Sequence, residues 1–359
     1  MTHEFDTRFF DLLHARSANL APGDTVVDPL VMTSVFALPD EPDPSRVYAR
    51  MATPTVEAAE ARLSALEAAP SLLFPSGMGA YAALFTALLR PGDRLILLTD
   101  GYYTPRSLAT EVLAPMGIET TCIPSGEIAD APLDGVKLVM IETPTNPGLD
   151  VIDIAALAAR CHAAGALLAV DNTVLTPLLQ QPLDLGADVV LSADTKAMSG
   201  HSDLLLGHVA SRDEELMKKI HTIRTLSGNI AGPFEAWMLI RGLETLEVRL
   251  ARMCDNARAA LPLLKDSGKC GDVLYPEAHD QARDPGFLVG ITLPTKEATD
   301  RFIAVAGLAP VTSFGGLHSA ADRRGRWGDD VDAGFLRLSF GVEPTKPLLA
   351  ALKKGLAAV

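Results

Sequence analysis

The most informative stretch of this sequence reads Ala169-Val170-Asp171-Asn172-Thr173, then Asp194-Thr195-Lys196, then Gly200-His201-Ser202-Asp203. It places Asp171 and Lys196 at the ends of two apolar, strand-like segments, Ala166–Val170 and Val189–Ala193. Neighbouring parallel strands end at the same edge of a sheet, and α/β proteins build their sites at that edge. We therefore expect the aspartate and the lysine to converge in one site.

A lysine and an aspartate that converge in this way match the needs of pyridoxal 5′-phosphate. The lysine forms a Schiff base with this cofactor, and the carboxylate keeps the pyridinium nitrogen protonated. Taken alone, the pair also has a plainer interpretation, in which Lys196 is a solvated surface lysine and Asp171 is a turn or cap residue. The choice between them depends on the residues at the other strand ends.

The composition indicates a large core and an acidic chain. The 359 residues are 48% hydrophobic, which suits two domains, or one large α/β unit with a smaller lobe, and argues against disorder. The formal net charge of −14 argues against a general nucleic-acid binder, because phosphates require a basic face. No CxxC pair or metal-binding spacing is formed by the four cysteines, Cys122, Cys161, Cys254 and Cys270.

The sequence predicts a cytoplasmic protein. Charged residues interrupt the first residues of the chain, so no signal peptide is visible. Apolar runs are short and are broken by glycine, proline or charge, so none is long enough to span a bilayer. Reduced cytosolic thiols are the default for cysteines without a pairing pattern.

Three regions follow one another along the chain. Residues 1–45 are an arm with one predicted helix around Asp6–Ser17, and we expect the arm to lie on the rest of the protein or on a partner subunit. Residues 46–233 are predicted to form a cofactor-binding α/β domain. Residues 234–359 are predicted to form a connecting helix, Phe234–Leu261, and a smaller C-terminal α/β domain.

Short apolar runs alternate with helical patterns in the first domain, which is typical of a mainly parallel sheet with helices on both faces. The predicted strands are Leu72–Phe74, Arg94–Leu98, Glu119–Ile123, Val136–Glu142, Ala166–Val170, Asp188–Ser192 and Leu206–Ala210. The predicted helices are Thr55–Ala68, Gly77–Leu89 and Ile152–Ala164. In the C-terminal domain the predicted elements are strands Gly286–Leu293 and Phe335–Ser339 and helices Lys296–Val305 and Lys346–Ala357.

Three further strand ends suit the same site. The turn Phe74–Gly79 precedes a helix, whose free N–H groups would bind phosphate, although an ordinary strand–helix turn is the plainer interpretation. Tyr102 or Tyr103 could stack on a planar cofactor, or be a partly buried tyrosine. Asn146 in Glu142–Pro147 could donate to the cofactor's phenolate oxygen, or only fix the turn.

Together these residues make the chain resemble the Cys/Met-metabolism family of pyridoxal-phosphate enzymes, which includes cystathionine γ-lyase, γ-synthase and β-lyase and methionine γ-lyase. The resemblance runs from about Tyr48 to the C-terminus and is most specific between Val170 and Asp203. Other matching stretches are Tyr48–Arg50, Pro54-Thr55, Ser76–Met78, Glu142–Pro147, Arg241–Leu243, Thr245-Leu246, Arg337–Gly341 and Glu343. The resemblance implies pyridoxal-phosphate fold type I, which is aspartate-aminotransferase-like, and a homotetramer built as a pair of dimers.

The resemblance implies how this chain would hold the cofactor. Lys196 would form the Schiff base and move protons, and Asp171 would pair with the pyridinium nitrogen. Tyr103 would stack on the ring and assist catalysis. The phosphate would be bound by Ser76, by the amides of Gly77 and Met78, and by the hydroxyl of Thr195.

The resemblance also implies a site shared between subunits. Tyr48 and Arg50 would come from the neighbouring subunit, with Arg50 on the phosphate and Tyr48 near the substrate as a catalytic residue. Arg337 would bind the α-carboxylate of the substrate, a task suited to a guanidinium group. Ser313 and Asn146 are also expected to contact the substrate.

The sequence departs from the family pattern at several positions. Ala197 follows the lysine where many members have Tyr, and Thr53 replaces a common Asn before Pro54. Ala193 replaces a frequent phosphate-facing Ser, so Ser192 or Thr195 must compensate.

A further departure lies in Ser313–Ser319, where His318 replaces a Glu that is frequent in γ-specific members. Together with Arg323, Arg324 and Arg326, His318 could make the substrate pocket basic, or these residues could form a solvated loop.

The expected substrate is a small sulfur-containing amino acid. The stretches around Lys196, Gly200 and Ser313 are similar to a bacterial subgroup of γ-lyases, which implies γ-elimination of cystathionine to cysteine, 2-oxobutanoate and ammonia. The turn Tyr103-Thr104-Pro105 is instead similar to bacterial β-lyases, and a γ-synthase is a third possibility. A non-catalytic relative would lack Lys196 or Arg337, and the Gly200–Asp203 stretch favours a lyase over an aminotransferase.

Overall fold

The computed structural model describes residues 2–38, 40–41 and 47–359. The expected boundary between the arm and the first domain, at residues 45 and 46, lies outside the described residues. The helices are α1 (Thr2–His14), α2 (Pro54–Glu67), α3 (Gly77–Leu88), α4 (Thr104–Leu108), α5 (Ile154–Ala163), α6 (Thr176–Leu179), α7 (Glu214–Ser227), α8 (Pro233–Leu243), α9 (Leu246–Lys265), α10 (Lys296–Ala306) and α11 (Thr345–Ala357). The strands are β1 (Ser71–Phe74), β2 (Arg94–Leu98), β3 (Glu119–Ile123), β4 (Val136–Glu142), β5 (Leu167–Asp171), β6 (Val189–Ser192), β7 (Gly207–Ala210), β8 (Val273–Leu274), β9 (Leu288–Thr292), β10 (Ala320–Arg323) and β11 (Phe335–Ser339).

The larger sheet has the strand order β1-β7-β6-β5-β4-β2-β3. The pairs from β6 to β3 are parallel, whereas β7 runs antiparallel to both of its neighbours. The predicted mainly parallel sheet is therefore confirmed, and every predicted strand lies within two residues of its expected ends. In particular, β5 and β6 are parallel neighbours, as the positions of Asp171 and Lys196 required.

Side chains alternate between the two faces of this sheet, and each face has its own core. Leu95 and Leu97 of β2 pack in the cluster that contains α3 and α7. Ile96 and Leu98 of the same strand pack on the other face, in the cluster that contains α5. The sheet is therefore covered by helices on both faces, as the alternating sequence pattern predicted.

The smaller sheet has the strand order β10-β11-β9-β8 and is antiparallel. Its core is shared with α10, α11 and the second half of α9. Strands β8 and β10 were not predicted, because both are short. Helix α7 was not predicted either; the carboxylate of Asp213 caps its first turn. Thr53, which departs from the family pattern, caps α2 by accepting a hydrogen bond from the N–H of Val56.

The arm begins with α1, which covers Thr2–His14 rather than the predicted Asp6–Ser17. Leu12 of α1 is fully buried in the core that includes α2 and α8, so the helix lies on its own chain. The following segment contains a short 3₁₀ helix, Ser17–Asn19, and otherwise consists mostly of turns and irregular backbone. Its exposed apolar side chains include Val26, Val27, Met32, Val35 and Leu38. Within the described residues, no helix combines the length and the apolar composition that crossing a membrane requires.

The prediction of one continuous helix at Phe234–Leu261 is wrong, because α8 ends at Leu243 and α9 begins at Leu246. Gly242, near the end of α8, lies directly on the backbone of Ser199. A Cβ atom at Gly242 would stand 2.6 Å from the carbonyl oxygen of Ser199. This contact requires a glycine at position 242.

Arg249 of α9 explains why the chain turns at this point. Its buried guanidinium donates hydrogen bonds to the carbonyl oxygens of Ala197, Met198 and Gly242 at 2.7, 3.1 and 2.6 Å. It thereby adds a charged donor to the carbonyl of Gly242, which also accepts from the N–H of Thr245, and it joins the end of α8 to the carbonyls of Ala197 and Met198. The same side chain anchors the segment that follows Lys196.

Replacing this side chain should therefore destabilise the fold. We expect Arg249→Ala to lower the free energy of unfolding by about 3 kcal/mol, because it leaves buried carbonyl groups without donors. Denaturant titration of the cofactor-loaded protein measures the change. Arg252→Ala, an exposed position on the same helix, is the matched control and should change stability by less than about 0.5 kcal/mol. Equal losses in the two variants would contradict this role of Arg249.

Candidate active site

A cleft of about 270 Å³ opens where β4 and β5 end. The predicted site residues that line it are Ser76, Gly77, Met78, Tyr103, Asn146, Asp171, Thr195, Lys196 and Arg337. Ser313 contacts Lys196 from a neighbouring loop. The structure therefore brings these residues together from both sheets, although Tyr48 and Arg50 of the same chain do not line the cleft.

Asp171 is the last residue of β5, and its carboxylate is buried on the face of the sheet that α3 covers. The hydroxyl of Tyr81 donates to Asp171 Oδ2 at 2.8 Å, and the N–H of Thr173 donates to Oδ1 at 2.9 Å. Burial raises the pKa of Asp171, and these hydrogen bonds oppose the rise. The donors favour the ionised carboxylate, which is the form that pairs with a cationic ring nitrogen.

Glu142 ends β4 and lies beside Asp171 in the sheet register. Its Oε2 accepts hydrogen bonds from the N–H groups of Tyr102 at 2.8 Å and Asn146 at 3.3 Å. Burial and the nearby charge of Asp171 raise the pKa of Glu142. Glu142 therefore holds two loops of the cleft in place, one carrying Tyr103 and the other Asn146.

Lys196 lies in the loop after β6, and its Nζ donates a hydrogen bond to Ser313 Oγ at 3.0 Å. The same nitrogen is 5.1 Å from the centre of the Phe314 ring. Burial, followed by repulsion from Arg337 and Arg324, lowers the pKa of Lys196 from 10.5 to about 8. A substantial fraction of the amine is therefore unprotonated and nucleophilic near neutral pH.

Arg337 extends from β11 and joins the two sheets. Its side chain is almost fully buried, and Nη1 donates to Asn146 Oδ1 at 2.7 Å. Nη2 donates to the carbonyl oxygen of Thr312 at 2.5 Å, and the guanidinium lies 5.0 Å from the centre of the Phe314 ring. Arg337 therefore presents a positive charge to the cleft on the same side as Lys196.

The turn before α3 has the geometry of a phosphate site. Ser76 caps the helix by accepting a hydrogen bond from the N–H of Gly79 at 2.9 Å. The N–H groups of Gly77 and Met78 belong to the first helical turn, where no earlier helical carbonyl is available to accept from them. Strand β7 lies directly on this turn, because a Cβ atom at Gly207 would stand 2.6 Å from the nitrogen of Gly77.

The hydroxyl of Thr195 is already engaged. It donates to the carbonyl oxygen of Leu206 at 3.1 Å and accepts from the N–H of the same residue at 3.0 Å. A hydroxyl has one proton, so Thr195 must rotate to donate to a phosphate. Ser192 does not line the cleft, and its buried Oγ has no hydrogen-bond partner among the described residues. Which of the two compensates for Ala193 stays a prediction.

Tyr102 and Tyr103 both line the cleft, with ring centres 5.4 Å apart in an edge-to-face arrangement. The ring of Tyr103 is 37% exposed, which leaves a face free for a planar ligand. Its preference over Tyr102 as the stacking residue stays a prediction.

Tyr48 and Arg50 lie near each other outside the cleft. Arg50 Nη1 donates to the carbonyl oxygen of Thr225 at 3.1 Å, and its guanidinium lies 5.8 Å from the centre of the Tyr48 ring. Tyr48 is 45% exposed. Their expected action in the site of a neighbouring subunit stays a prediction.

The basic residues His318, Arg324 and Arg326 differ in their exposure to solvent. His318 and Arg326 are exposed, as a solvated loop requires. Arg324 is instead buried and lines the cleft, where Asp322 and Asp329 accept hydrogen bonds from its guanidinium at 3.0 and 2.7 Å. Of the two alternatives, a basic pocket and a solvated loop, the position of Arg324 therefore fits the basic pocket.

Sequence reasoning did not assign a site role to seven lining residues, which are Tyr81, Glu142, Thr173, Leu205, Thr312, Phe314 and Trp327. Two of them had a usable signal. Glu142 ends its strand as Asp171 ends the next, and Tyr81 follows Gly77 by about one helical turn, on the same face. Trp327 ends a short 3₁₀ helix, Arg324–Trp327, whose position no periodic pattern predicts.

The cleft suits pyridoxal 5′-phosphate in its polar groups and in its shape. Free amides at the start of α3 match the phosphate, a buried carboxylate matches the ring nitrogen, and a lysine amine of lowered pKa matches the aldehyde. The turn must carry a glycine at position 77, because a Cβ atom there would stand 2.8 Å from the Cβ atom of Ala193.

Comparison with known proteins agrees with this geometry. The sequence model of the family described as "Cys/Met metabolism PLP-dependent enzyme" matches residues 11–357. A candidate cystathionine gamma-lyase of Streptomyces coelicolor is 40% identical over 91% of this chain and 87% of its own length. Cystathionine beta-lyase MetC of Bacillus subtilis is 35% identical over 82% of each chain. The crystal structure of cystathionine gamma synthase from Xanthomonas oryzae pv. oryzae in complex with cystathionine has a TM-score of 0.92 at 30% identity, over 99% of this chain and 98% of that one.

The fold and the cleft together define a pyridoxal-phosphate-dependent enzyme, and the predicted fold class is confirmed. Within that class, the chain belongs to the family of Cys/Met metabolism PLP-dependent enzymes, as the resemblance implied. Pyridoxal 5′-phosphate is its cofactor.

The lowered pKa of Lys196 predicts how cofactor capture depends on pH. Only the unprotonated amine attacks an aldehyde, so the rate at which apo-enzyme captures the cofactor should rise about tenfold per pH unit below 8 and level off above it. Stopped-flow absorbance of the lysine-bound band measures this rate, with Lys196→Ala as the control that shows no band. Arg324→Gln should move the inflection to higher pH, because one repelling cation is removed. An inflection near 10.5, the usual value for lysine, would contradict the assignment.

Proposed function

We propose that this protein is a carbon–sulfur lyase of the transsulfuration type that converts L-cystathionine to cysteine, 2-oxobutanoate and ammonia by γ-elimination. The observation that carries the proposal is the convergence of Lys196, Asp171 and Arg337 in one cleft. The likeness to a candidate cystathionine gamma-lyase over most of the chain supports the choice of substrate.

The bound cofactor supplies an electron sink for negative charge at the substrate Cα. Lys196 Nζ is the proposed base, because its lowered pKa lets it accept a proton from Cα near neutral pH. In γ-elimination a second proton must then be removed from Cβ before the sulfur on Cγ departs, and the departing sulfur must receive a proton. Only Ser313 Oγ holds Nζ among the described hydrogen-bond partners, so the amine is free to swing between carbons.

Asp171 is proposed to keep the ring nitrogen protonated. Tyr81 and Thr173 each donate a hydrogen bond to its carboxylate, which stabilises the negative charge in a buried place. Tyr103 would cover one face of the ring, while Ser76, Gly77 and Met78 would hold the phosphate.

Arg337 is proposed to bind the substrate α-carboxylate as a charge-assisted pair. Burial and repulsion from Arg324 lower its pKa to about 10, so the guanidinium keeps its charge at neutral pH. Asn146 orients this guanidinium by accepting from Nη1, and Ser313 lies between it and the lysine amine. The substrate Cα is thereby placed within reach of Lys196.

The proposed enzyme is a cytoplasmic homo-oligomer with a site shared across a dimer. In this proposal Tyr48 and Arg50 complete the site of the neighbouring subunit, with Tyr48 managing protons at the leaving sulfur. Their position outside the cleft of their own chain supports this assignment. The family resemblance supports a tetramer, and the four free cysteines suit a reducing compartment.

A β-lyase is the second candidate, and two observations favour it. The likeness to the Bacillus subtilis beta-lyase covers most of the chain. Tyr103 also precedes α4, whose first residues Thr104 and Pro105 give the turn that resembles β-lyases. A γ-synthase, which would act on an activated homoserine ester, is the third.

The keto acid released from L-cystathionine separates the candidates. We expect mostly 2-oxobutanoate with cysteine, identified by mass spectrometry on the cofactor-loaded enzyme. Mostly pyruvate with homocysteine would transfer the assignment to the β-lyase. Little of either product, together with turnover of a homoserine ester and cysteine, would indicate the γ-synthase.

Loss of the carboxylate-binding residue should affect the substrate more than the cofactor. We expect Arg337→Ala to raise KM for the amino-acid substrate by about 100-fold, since a charge-assisted hydrogen-bonded pair contributes about 3 kcal/mol. The cofactor dissociation constant should change much less, because Arg337 has no proposed contact with it. Steady-state kinetics and cofactor titration measure the two constants. An unaltered KM would remove Arg337 from the site.

A further inference from the structure

Three ionisable side chains form a buried group that the proposed reaction does not use. His208 of β7 lies between Asp194, which is close to Lys196 in the same loop, and Glu67, the last residue of α2. His208 Nδ1 is 2.7 Å from Asp194 Oδ1, and Nε2 is 3.0 Å from Glu67 Oε1. All three side chains are 0% exposed. We call this group, Glu67, Asp194 and His208, the buried triad.

The geometry of the buried triad suits a charged histidine. Each ring nitrogen of His208 lies within hydrogen-bond distance of a carboxylate oxygen, and both nitrogens donate when the ring is an imidazolium. Burial alone would lower the pKa of His208, but Asp194 and Glu67 raise it to about 10. His208 therefore carries a positive charge near neutral pH. Glu67 Oε2 and Asp194 Oδ2 have no hydrogen-bond partner among the described residues.

Stability alone does not account for such a group. Burying charges is costly, and apolar side chains of similar volume are often equally stable or more stable in the same place. The buried triad instead joins two parts of the cofactor site. Asp194 begins the segment that carries Lys196, and His208 follows Gly207, which lies on the phosphate-binding turn at Gly77.

We propose that the buried triad is a positioning device that sets the lysine loop, Asp194–Lys196, against the phosphate-binding turn. The imidazolium of His208 fixes Asp194 on one side, and its own strand supports Gly77 on the other. Glu67 supplies a balancing negative charge and touches neither the loop nor the turn in any described hydrogen bond. The inference rests on the proposed roles of Lys196 and Gly77.

The same imidazolium acts on Asp171. Its positive charge lowers the pKa of Asp171, against the rise that burial causes. His208 therefore also favours the ionised form of the carboxylate that would face the ring nitrogen.

A matched pair of variants tests the inference. Asp194→Ala and Glu67→Ala each remove one partner of His208, and both should lower the thermal midpoint to a similar extent. Only Asp194→Ala should raise the cofactor dissociation constant, by about tenfold or more, and weaken the visible circular dichroism of the lysine-bound cofactor, because small misplacements in a site are costly. Glu67→Ala should change that constant by less than about threefold.

The conservative variant Asp194→Asn provides a rescue. Its amide oxygen can still accept from His208, so the dissociation constant should lie between those of wild type and Asp194→Ala. If Asp194→Ala does not fold, Asp194→Asn is compared with Glu67→Gln, and the same order is required. Equal effects of the two positions on cofactor binding would overturn the inference, as would loss of thermal stability with wild-type cofactor binding and dichroism.

The measurement is separate from the proposed reaction. Cofactor binding and dichroism are measured without substrate, so they stand even if the enzyme acts on another amino acid. The assignment of Lys196 is tested separately by the variant Lys196→Ala in an otherwise native chain. If that assignment is wrong, this variant keeps the absorbance band of the lysine-bound cofactor.

Discussion

Asp171 carries a carboxylate at the end of a central strand, where water scarcely reaches it. A charge in such a place is unstable unless donors or cations surround it. The hydroxyl of Tyr81, on α3, and the backbone N–H of Thr173 each donate a hydrogen bond to this carboxylate. The positive charge of His208, which lies on β7 beyond strand β6, lowers its pKa. These groups stabilise the negative charge of Asp171, and a cationic ring nitrogen of the cofactor would neutralise it.

The two sheets contribute opposite kinds of group to the cleft. The larger sheet supplies carboxylates at its strand ends, whereas the smaller sheet supplies Arg337 and, next to it, Arg324. Phe314 stands between the cations, with Lys196 Nζ and the Arg337 guanidinium each about 5 Å from its ring centre. An aromatic face attracts both cations while excluding water, so the lysine amine and the guanidinium can be held near each other in spite of their repulsion. Burial and the repulsion from Arg337 and Arg324 act in the opposite direction and lower the pKa of the lysine amine.

Much of this could be read from the sequence, for a physical reason. Apolar strands and their polar ends are local patterns, so the positions of Asp171, Asn146 and Lys196 followed from short stretches. The break between α8 and α9 did not follow, because it depends on Arg249 reaching carbonyl groups in a distant loop. The buried triad was equally hidden, since its members come together only when β7 inserts between β1 and β6. The burial of Arg324 likewise depends on Asp322 and Asp329, which balance its charge inside a segment that reads as a polar loop.

The hydrogen bond between Arg337 and Asn146 has a consequence for ligand selection. The amide oxygen of Asn146 already occupies Nη1, and backbone carbonyl oxygens occupy Nη2. The Nε–H has no hydrogen-bond partner among the described residues, and Nη1 keeps a second proton, so a ligand can bind the guanidinium without displacing these acceptors. A carboxylate gains a charge-assisted bond from such donors, which is stronger than the bond that a neutral group makes. Asn146 and the two backbone carbonyls therefore fix the plane of the guanidinium and leave its remaining donors for an anion.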